Sequence, residues 1–389
     1  MVADANRAAV GACTGSCTLQ VPAGDVRLAP GTPASFGGIA SATAFQCSTV
    51  STYDCTVEVR AGQTTSVTVT FQEHAKARWT FFGDINEYFG SAAFDHVGRL
   101  VASSNTRLAQ LDPAGQLRWA RALPGAVLIG LDDAIYVSDA TSTTKLDPDG
   151  NNLWVRPGIA RAIDARNGNV LVVEGTTMRM ITPSNTLVWT ATGRGEAIDG
   201  AGVIYESFTT LDPEWPYYTR LEAHRYSAND GSPLADFGAL TTYVEYPSFA
   251  MIATATRVAA FAQNVDSNST INGRVHDAAS GMLLAGFDAV LYQNFSGLPA
   301  SLAGAGDDVG FLHGFEAGNF CASYELARLV PQRVWTVRYD GHETFEDSFI
   351  RCTGPRVGTV GGGPSGQLAA LGQYKSSLYG VGLIQVFAP

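Results

Sequence analysis

From residue 64 to 71 the chain alternates polar and apolar positions, Thr64-Thr65-Ser66-Val67-Thr68-Val69-Thr70-Phe71, and Cys55-Thr56-Val57-Glu58-Val59 alternates likewise. A period of two puts every second side chain on one face and predicts a half-buried strand. Ala61-Gly62-Gln63 between them predicts a turn, so these two runs are expected to pair as a hairpin. Past residue 72 the pattern changes. Short runs of small and apolar residues recur at 91–94, 127–130, 160–163, 195–198, 249–253, 302–305 and 357–360. A turn and a second apolar run follow each, at 99–102, 134–137, 169–172, 202–205, 257–261, 309–312 and 367–371. A third run follows, as at 108–111, and then a phrase that ends in tryptophan.

That phrase reads Leu111-Asp112-Pro113-Ala114-Gly115-Gln116-Leu117-Arg118-Trp119 and then Leu146-Asp147-Pro148-Asp149-Gly150-Asn151-Asn152-Leu153-Trp154. It returns weakened as Ile181-Thr182-Pro183-Ser184-Asn185-Thr186-Leu187-Val188-Trp189, with the tryptophans 35 residues apart each time. A fixed period of this size predicts one small unit copied and stacked, and four short strands per unit is the blade of a β-propeller. Small residues in each first strand suit the crowded centre of such a ring. The last unit offers only three strands before Pro389, and Ala77-Arg78-Trp79-Thr80-Phe81-Phe82-Gly83 resembles a fourth-strand phrase. An open ring leaves raw sheet edges, so this N-terminal strand is expected to complete the last blade. The expectation is an all-β chain: a flexible or docking segment at 1–10, a small disulfide-linked β domain at 11–72, and a seven-bladed propeller at 73–389. The fourth to seventh units are longer than the first three, and the added residues are placed in loops, such as Leu211-Asp212-Pro213-Glu214-Trp215-Pro216.

Two resemblances extend this reading. The order Gly11-Ala12-Cys13-Thr14-Gly15-Ser16-Cys17, Val26-Arg27-Leu28-Ala29-Pro30, Ser35-Phe36-Gly37-Gly38, Cys47 to Cys55-Thr56-Val57 and Val67-Thr68-Val69-Thr70-Phe71 resembles the small bacterial repeat domain related to the internalin B-repeat. Ile39 stands where that family usually has tryptophan. The resemblance implies a secreted or surface protein and pairing of Cys13 with Cys17 and of Cys47 with Cys55. A four-cysteine zinc site fits this spacing poorly, because zinc knuckles carry two close CxxC pairs. The tryptophan phrase resembles the quinoprotein-like, WD40-like propeller repeats, clearly in the first three units and faintly afterwards. Quinoprotein dehydrogenases hold their cofactor with adjacent cysteines, calcium and eight blades. Adjacent cysteines are missing here, so no cofactor is expected.

Composition narrows the class. Charged residues are 16% and hydrophobic residues 46% of the chain, which supports a large core. The net charge of −11 argues against nucleic acid or an anionic membrane as partner. No apolar run is long enough to span a bilayer. The first residues lack a signal-peptide core, so an export signal is expected to have been removed. Cys321 and Cys352 fall in neighbouring units and are expected to bridge, with two free buried thiols as the alternative.

The chemistry on offer is sparse. The six histidines show no HxH or HxxxH spacing, so no metal site is expected. Asp147-Pro148-Asp149-Gly150-Asn151 has the look of a calcium loop, but its twelfth position is Gly158 where such a loop needs Glu, and a hairpin turn between third and fourth strands is expected. Glycoside hydrolysis needs two carboxylates across a groove, and Glu196, Asp199 and Glu206 are the candidates, with Arg161 or Arg194 as alternative ion-pair partners. Aromatic residues gather in the long-loop half. Trp215, Tyr217, Tyr218, Tyr243 and Tyr246 are the candidate ligand-binding residues, although blade core would also account for them. The expected role is non-catalytic binding or scaffolding at the bacterial cell surface or outside it, with protein or polysaccharide as partner and self-association as a further option. A structural subunit of an extracellular filament and a carbohydrate-active propeller enzyme are the alternatives.

Overall fold

The computed structural model describes residues 61–62, 77–215, 217–244, 249–263, 272–286, 301–312, 326–328, 356–375 and 380–388 in full, and the backbone alone of the remaining assigned strands. The chain divides into two compact units, Met1–Ala75 with Arg333–Val337, and Lys76–Gln332 with Arg338–Pro389.

In the N-terminal unit the strands form, but not with the expected neighbours. Cys55–Val59 pairs antiparallel with Gly24–Leu28 and with Gln46–Cys47, while Val69–Glu73 pairs with Phe36–Ala42. Among the described strands Cys55–Val59 and Val69–Glu73 are thus not paired with each other, and residues 63–68 of the predicted hairpin lie outside the described residues. Alternation specifies a buried face but not which strand lies alongside. Val2–Ala3 and Ala9–Gly11 pair with each other, and Val2–Ala3 also pairs with Gly24–Leu28, so residues 1–10 contribute strands to this unit. The backbones of Cys47 and Cys55 stand directly opposite each other. The side chains of Cys13, Cys17, Cys47, Cys55, Cys321 and Cys352 lie outside the described residues, and no disulfide is present among the described ones.

The second unit is a β-propeller. Five sheets stand separately. They begin at the strands Ala126–Ile129, Ile159–Ile163, Ala197–Ile198, Pro247–Ala253 and Ala300–Ala305, and each continues through three more antiparallel strands in chain order. The count of separate blades is thus five where seven were expected. The other strands run on as one nine-stranded sheet, in the order Leu117–Arg121, Leu108–Leu111, Leu100–Ser104, Phe89–Phe94, Phe349–Gly362, Leu368–Lys375, Gly380–Phe387 and Ala77–Ile85, with His342–Glu346 paired to Phe349–Gly362 off this path. The join is one parallel bridge between Gly362 and Ala93. Its cause is local: neither residue carries a bulky side chain, and at the neighbouring Gly361 a Cβ would come within 2.7 Å of the Ala92 carbonyl oxygen. The two backbones therefore approach closely enough to bond.

First strands neighbour one another in a closed cycle, from Phe89–Phe94 through the first strands of the five separate sheets to Phe349–Gly362 and back. Their ends surround a cavity of about 270 Å³ lined by Ala93, Leu128, Ile129, Ile163 and Ala253 together with glycines. The predicted closure is present. Ala77–Ile85 pairs antiparallel with Gly380–Phe387, placing Trp79 opposite Val386.

The tryptophan phrase explains how neighbouring sheets hold together. Trp79 donates its indole N–H to Pro113 O at 3.2 Å, Trp154 to Pro183 O at 3.1 Å and Trp189 to Ala228 O at 2.9 Å. Pro183 and Ala228 lie in turns of the next sheet, and Pro113 in a turn at the other run of the nine-stranded sheet. Gly115 and Gly150 sit in those turns at φ 86° and 87°, and Trp79 and Trp119 lie where their side chains would be. Only a residue that tolerates the left-handed region and has no Cβ lets a ring approach this closely. In the weakened third copy Asn185 takes the same turn position at φ 68°. Asp147 accepts the backbone N–H groups of Asp149 and Asn151 at 3.0 and 2.8 Å, so the calcium-like sequence is this hairpin turn.

Candidate functional site

Strand parity separates two ends of the propeller. Turns joining first to second and third to fourth strands lie at one end. Links from second to third strands, and from each sheet to the next, leave at the other. The tight Asp-Pro-x-Gly turns belong to the first end. The Leu211-to-Tyr218 hairpin joins the second and third strands of its sheet and so belongs to the opposite end.

That hairpin carries the sequence candidates. Asp212 accepts the backbone N–H groups of Glu214 and Trp215 at 2.8 and 3.1 Å, and Tyr218 N donates to Trp215 O at 2.9 Å. This self-closed turn pushes the rings outward: Trp215 is 63% exposed and Tyr217 58%. Val244–Glu245 adds a short strand beside Tyr218–Ser227, with Tyr218 opposite Glu245 and Thr219 opposite Val244. It brings Tyr243 alongside, where the Arg220 guanidinium lies 4.9 Å from the ring centre. Arg220 is tied in turn to Glu222 at 2.6 Å. Trp215, Tyr217, Tyr218 and Tyr243 thus share one hairpin and its added strand, while Tyr246 lies outside the described residues. Arg220 was not visible as part of this group in the sequence. The two-residue strand that brings Tyr243 to it is set by pairing across the sheet.

The carboxylates are divided differently from the expectation. Asp199 is buried and fully engaged, accepting Tyr205 O–H at 2.8 Å and the N–H groups of Ala201 and Val203 at 3.0 and 2.8 Å. It holds the turn between first and second strands and leaves no group for proton transfer. Glu196 accepts the Ser207 hydroxyl at 2.7 Å, and Glu206 accepts the Tyr226 hydroxyl at 2.8 Å. Burial first, offset by the Ser207 hydrogen bond and Arg161 and reinforced by the charge of Glu206, pushes the Glu196 carboxyl above its ordinary range. Burial, then the hydrogen bond to Glu206, pushes the Tyr226 hydroxyl up to about 12. Ser207 and Tyr226 were not legible as partners, because cross-strand register decides both contacts. No residue lining the central cavity at the other end carries a titratable side chain.

The raised Glu196 value has a measurable sign. Folding favours its protonated form, so its stabilising contribution is complete below the unfolded carboxyl range and is lost as pH rises through the folded value. Glu196→Gln is therefore expected to gain stability relative to the parent as pH increases from 4 towards neutrality, with no gain at the acid end. Denaturant melts of both proteins across that range check this, and a difference independent of pH would remove Glu196 from the coupling.

No protein-family model matches the chain, the internalin-type repeat included, and no curated protein matches it. Some solved structures are similar to it at low identity. Hydrazine synthase of Kuenenia stuttgartiensis is 11% identical, over 75% of this chain and 94% of that one, with a TM-score of 0.47. The β-propeller domain of the Trilobed protease from Pyrococcus furiosus is 11% identical, over 76% and 94%, with a TM-score of 0.44. Quinohemoprotein alcohol dehydrogenase from Comamonas testosteroni is 9% identical, over 80% and 76%, with a TM-score of 0.39. At such identities the likeness concerns fold alone.

Proposed function

We propose that this chain is a non-catalytic binding module of the bacterial cell surface or extracellular space, and that it holds a polysaccharide on the aromatic hairpin of Leu211 to Tyr218. The carrying observation is the outward display of Trp215 and Tyr217, at 63% and 58% exposure, while Trp79, Trp119, Trp154 and Trp189 are each packed against a buried hydrophobic cluster. Exposed flat rings stack on the C–H faces of sugars, and the nearby Glu214 and the Arg220–Glu222 pair offer groups for hydroxyls. The hairpin lies at the end of the propeller where second and third strands connect, away from the tight Asp-Pro-x-Gly turns.

Trp215→Ala with Tyr217→Ala is expected to lower affinity for a surface glycan by at least about 2 kcal/mol, the scale of an aromatic hot spot. Both rings are exposed, so stability should change by no more than about 0.5 kcal/mol. Glycan-array binding followed by calorimetry on parent and double variant reads the first, and denaturant melts read the second. Retained glycan affinity in the double variant rejects the hairpin as the binding face. Binding to extracellular protein but to no glycan replaces the ligand class.

A further inference from the structure

The seam where the ring closes holds a second, separate cavity of about 240 Å³. Three segments meet around it. Arg78 and Trp79 come from the closing strand, His96, Val97 and Pro113 from the first run of turns, and Gln367 from the last sheet run. Its walls are of two kinds. Trp79, Val97 and Pro113 are flat or apolar, and Arg78, His96 and Gln367 carry nitrogen donors.

These donors are poorly used by the protein itself. Among the described residues Arg78 makes no ion pair and no hydrogen bond. Gln367 uses its amide oxygen to accept Ser365 N at 3.1 Å, which leaves its NH₂ group as the free end of the amide, close to Gly98. His96 is held through Nδ1, 2.8 Å from Asp133 Oδ1, so its Nε2 is the nitrogen left for another partner. The nearby carboxylate is already spent: Asp133 also accepts His96 N at 3.0 Å and lies 3.9 Å from the Arg99 guanidinium. The net charge of −11 does not decide the matter, because exposed charges beyond roughly 10 Å are screened at about 0.1 M salt. What counts is the local set, a guanidinium and an amide donor beside an indole and a proline ring.

We propose that this seam cavity is a binding site for a small carboxylate with a flat apolar body. The carboxylate pairs with Arg78, a guanidinium whose fork matches two oxygens, and receives the Gln367 amide N–H. The apolar part lies against Trp79, Pro113 and Val97. Because the walls come from the closing strand and from both runs it joins, the bound molecule also fastens the closure, and ligand should raise the melting temperature. The site is independent of the glycan hairpin at the other end of the ring.

The test uses the full chain and phenylacetate as probe, with acetate, indole-3-acetate and the neutral phenylacetamide alongside. Calorimetry should show millimolar or tighter binding of the aromatic carboxylates, and melting temperature should rise with their concentration. Phenylacetamide should bind at least about tenfold more weakly, the scale of losing one charge-assisted pair. Arg78→Gln should weaken phenylacetate by a similar factor without lowering the unliganded melting temperature, and Arg78→Lys should retain part of the affinity. Equal binding of acid and amide, unchanged affinity in Arg78→Gln, or no binding of any of the carboxylates at millimolar concentration overturns the proposal.

Discussion

Replacing Arg107 with alanine is expected to destabilise the fold by about 3–5 kcal/mol, the cost of breaking a buried ion pair from one side. Arg107 donates through Nε and Nη2 to both oxygens of Glu87, each at 2.8 Å, and lies 3.1 Å from Asp84. Glu87 is only 1% exposed and also accepts Asp84 N at 2.7 Å. Its own carbonyl accepts the Gln373 side chain at 3.2 Å. The residue sits in the short link between the closing strand Ala77–Ile85 and the first inner strand Phe89–Phe94. An uncompensated charge there would be left inside the junction that shuts the ring. Burial alone would raise the Glu87 carboxyl, but the hydrogen bonds from Arg107, Asp84 N and Ser104, with the Arg107 charge, outweigh it and hold the group below its ordinary range. Folding thus favours the carboxylate. Its contribution is present above the unfolded carboxyl range and is lost as pH falls through the lower folded value. Denaturant melts of Arg107→Ala at neutral and acid pH check both points. The deficit should shrink on acidification, and Glu87→Gln combined with Arg107→Ala should recover part of it. A neutral-pH deficit below about 0.5 kcal/mol, the range of ordinary surface changes, would show that the junction is held elsewhere.

Trp79→Ala is expected to cost about 3 kcal/mol, the lower end for removing a packed aromatic. Trp79 packs against a core of Phe94, Leu111, Val386 and their neighbours and bonds to Pro113 O across the seam. It lies so close to Gly115 that an added Cβ there would come within 2.7 Å of the ring. Loss of the ring weakens the strand that covers the edge of Gly380–Phe387, and an uncovered edge invites pairing with other chains. Denaturant melts should show the loss, and light scattering should show more association than in the parent. Trp215→Ala serves as the comparison, since its ring is 63% exposed. Equal stability of the two variants would mean that the closing strand is not held by its tryptophan.

The two residues differ in how far the sequence announced them. Trp79 was recognisable because its surroundings repeat the phrase around Trp119, and a repeat carries its structural role with it. Arg107 and Glu87 had no such signal. They are 20 residues apart, in a turn and a link, and only the ring brings them together. The same division runs through the candidate sites. Trp215, Tyr217 and Tyr218 were legible as a loop cluster because they are adjacent in the chain. Asp199 was read as a candidate acid because its sequence context is that of a channel strand, yet its oxygens are consumed by Tyr205 and its own turn. Glu196, Ser207, Glu206 and Tyr226 are joined by cross-strand register, which a one-residue slip would alter.

By itself the chain determined the four-strand unit and its 35-residue tryptophan spacing, and the segment that closes the ring. These rest on local physics: side-chain alternation, turn residues and a repeated phrase. Tertiary structure decided which strands pair in the N-terminal unit, that Gly362 and Ala93 join two runs into one sheet, and that Arg78, His96 and Gln367 line one cavity. Those outcomes depend on which distant backbones come close enough to bond, and that is settled only when the whole ring is packed.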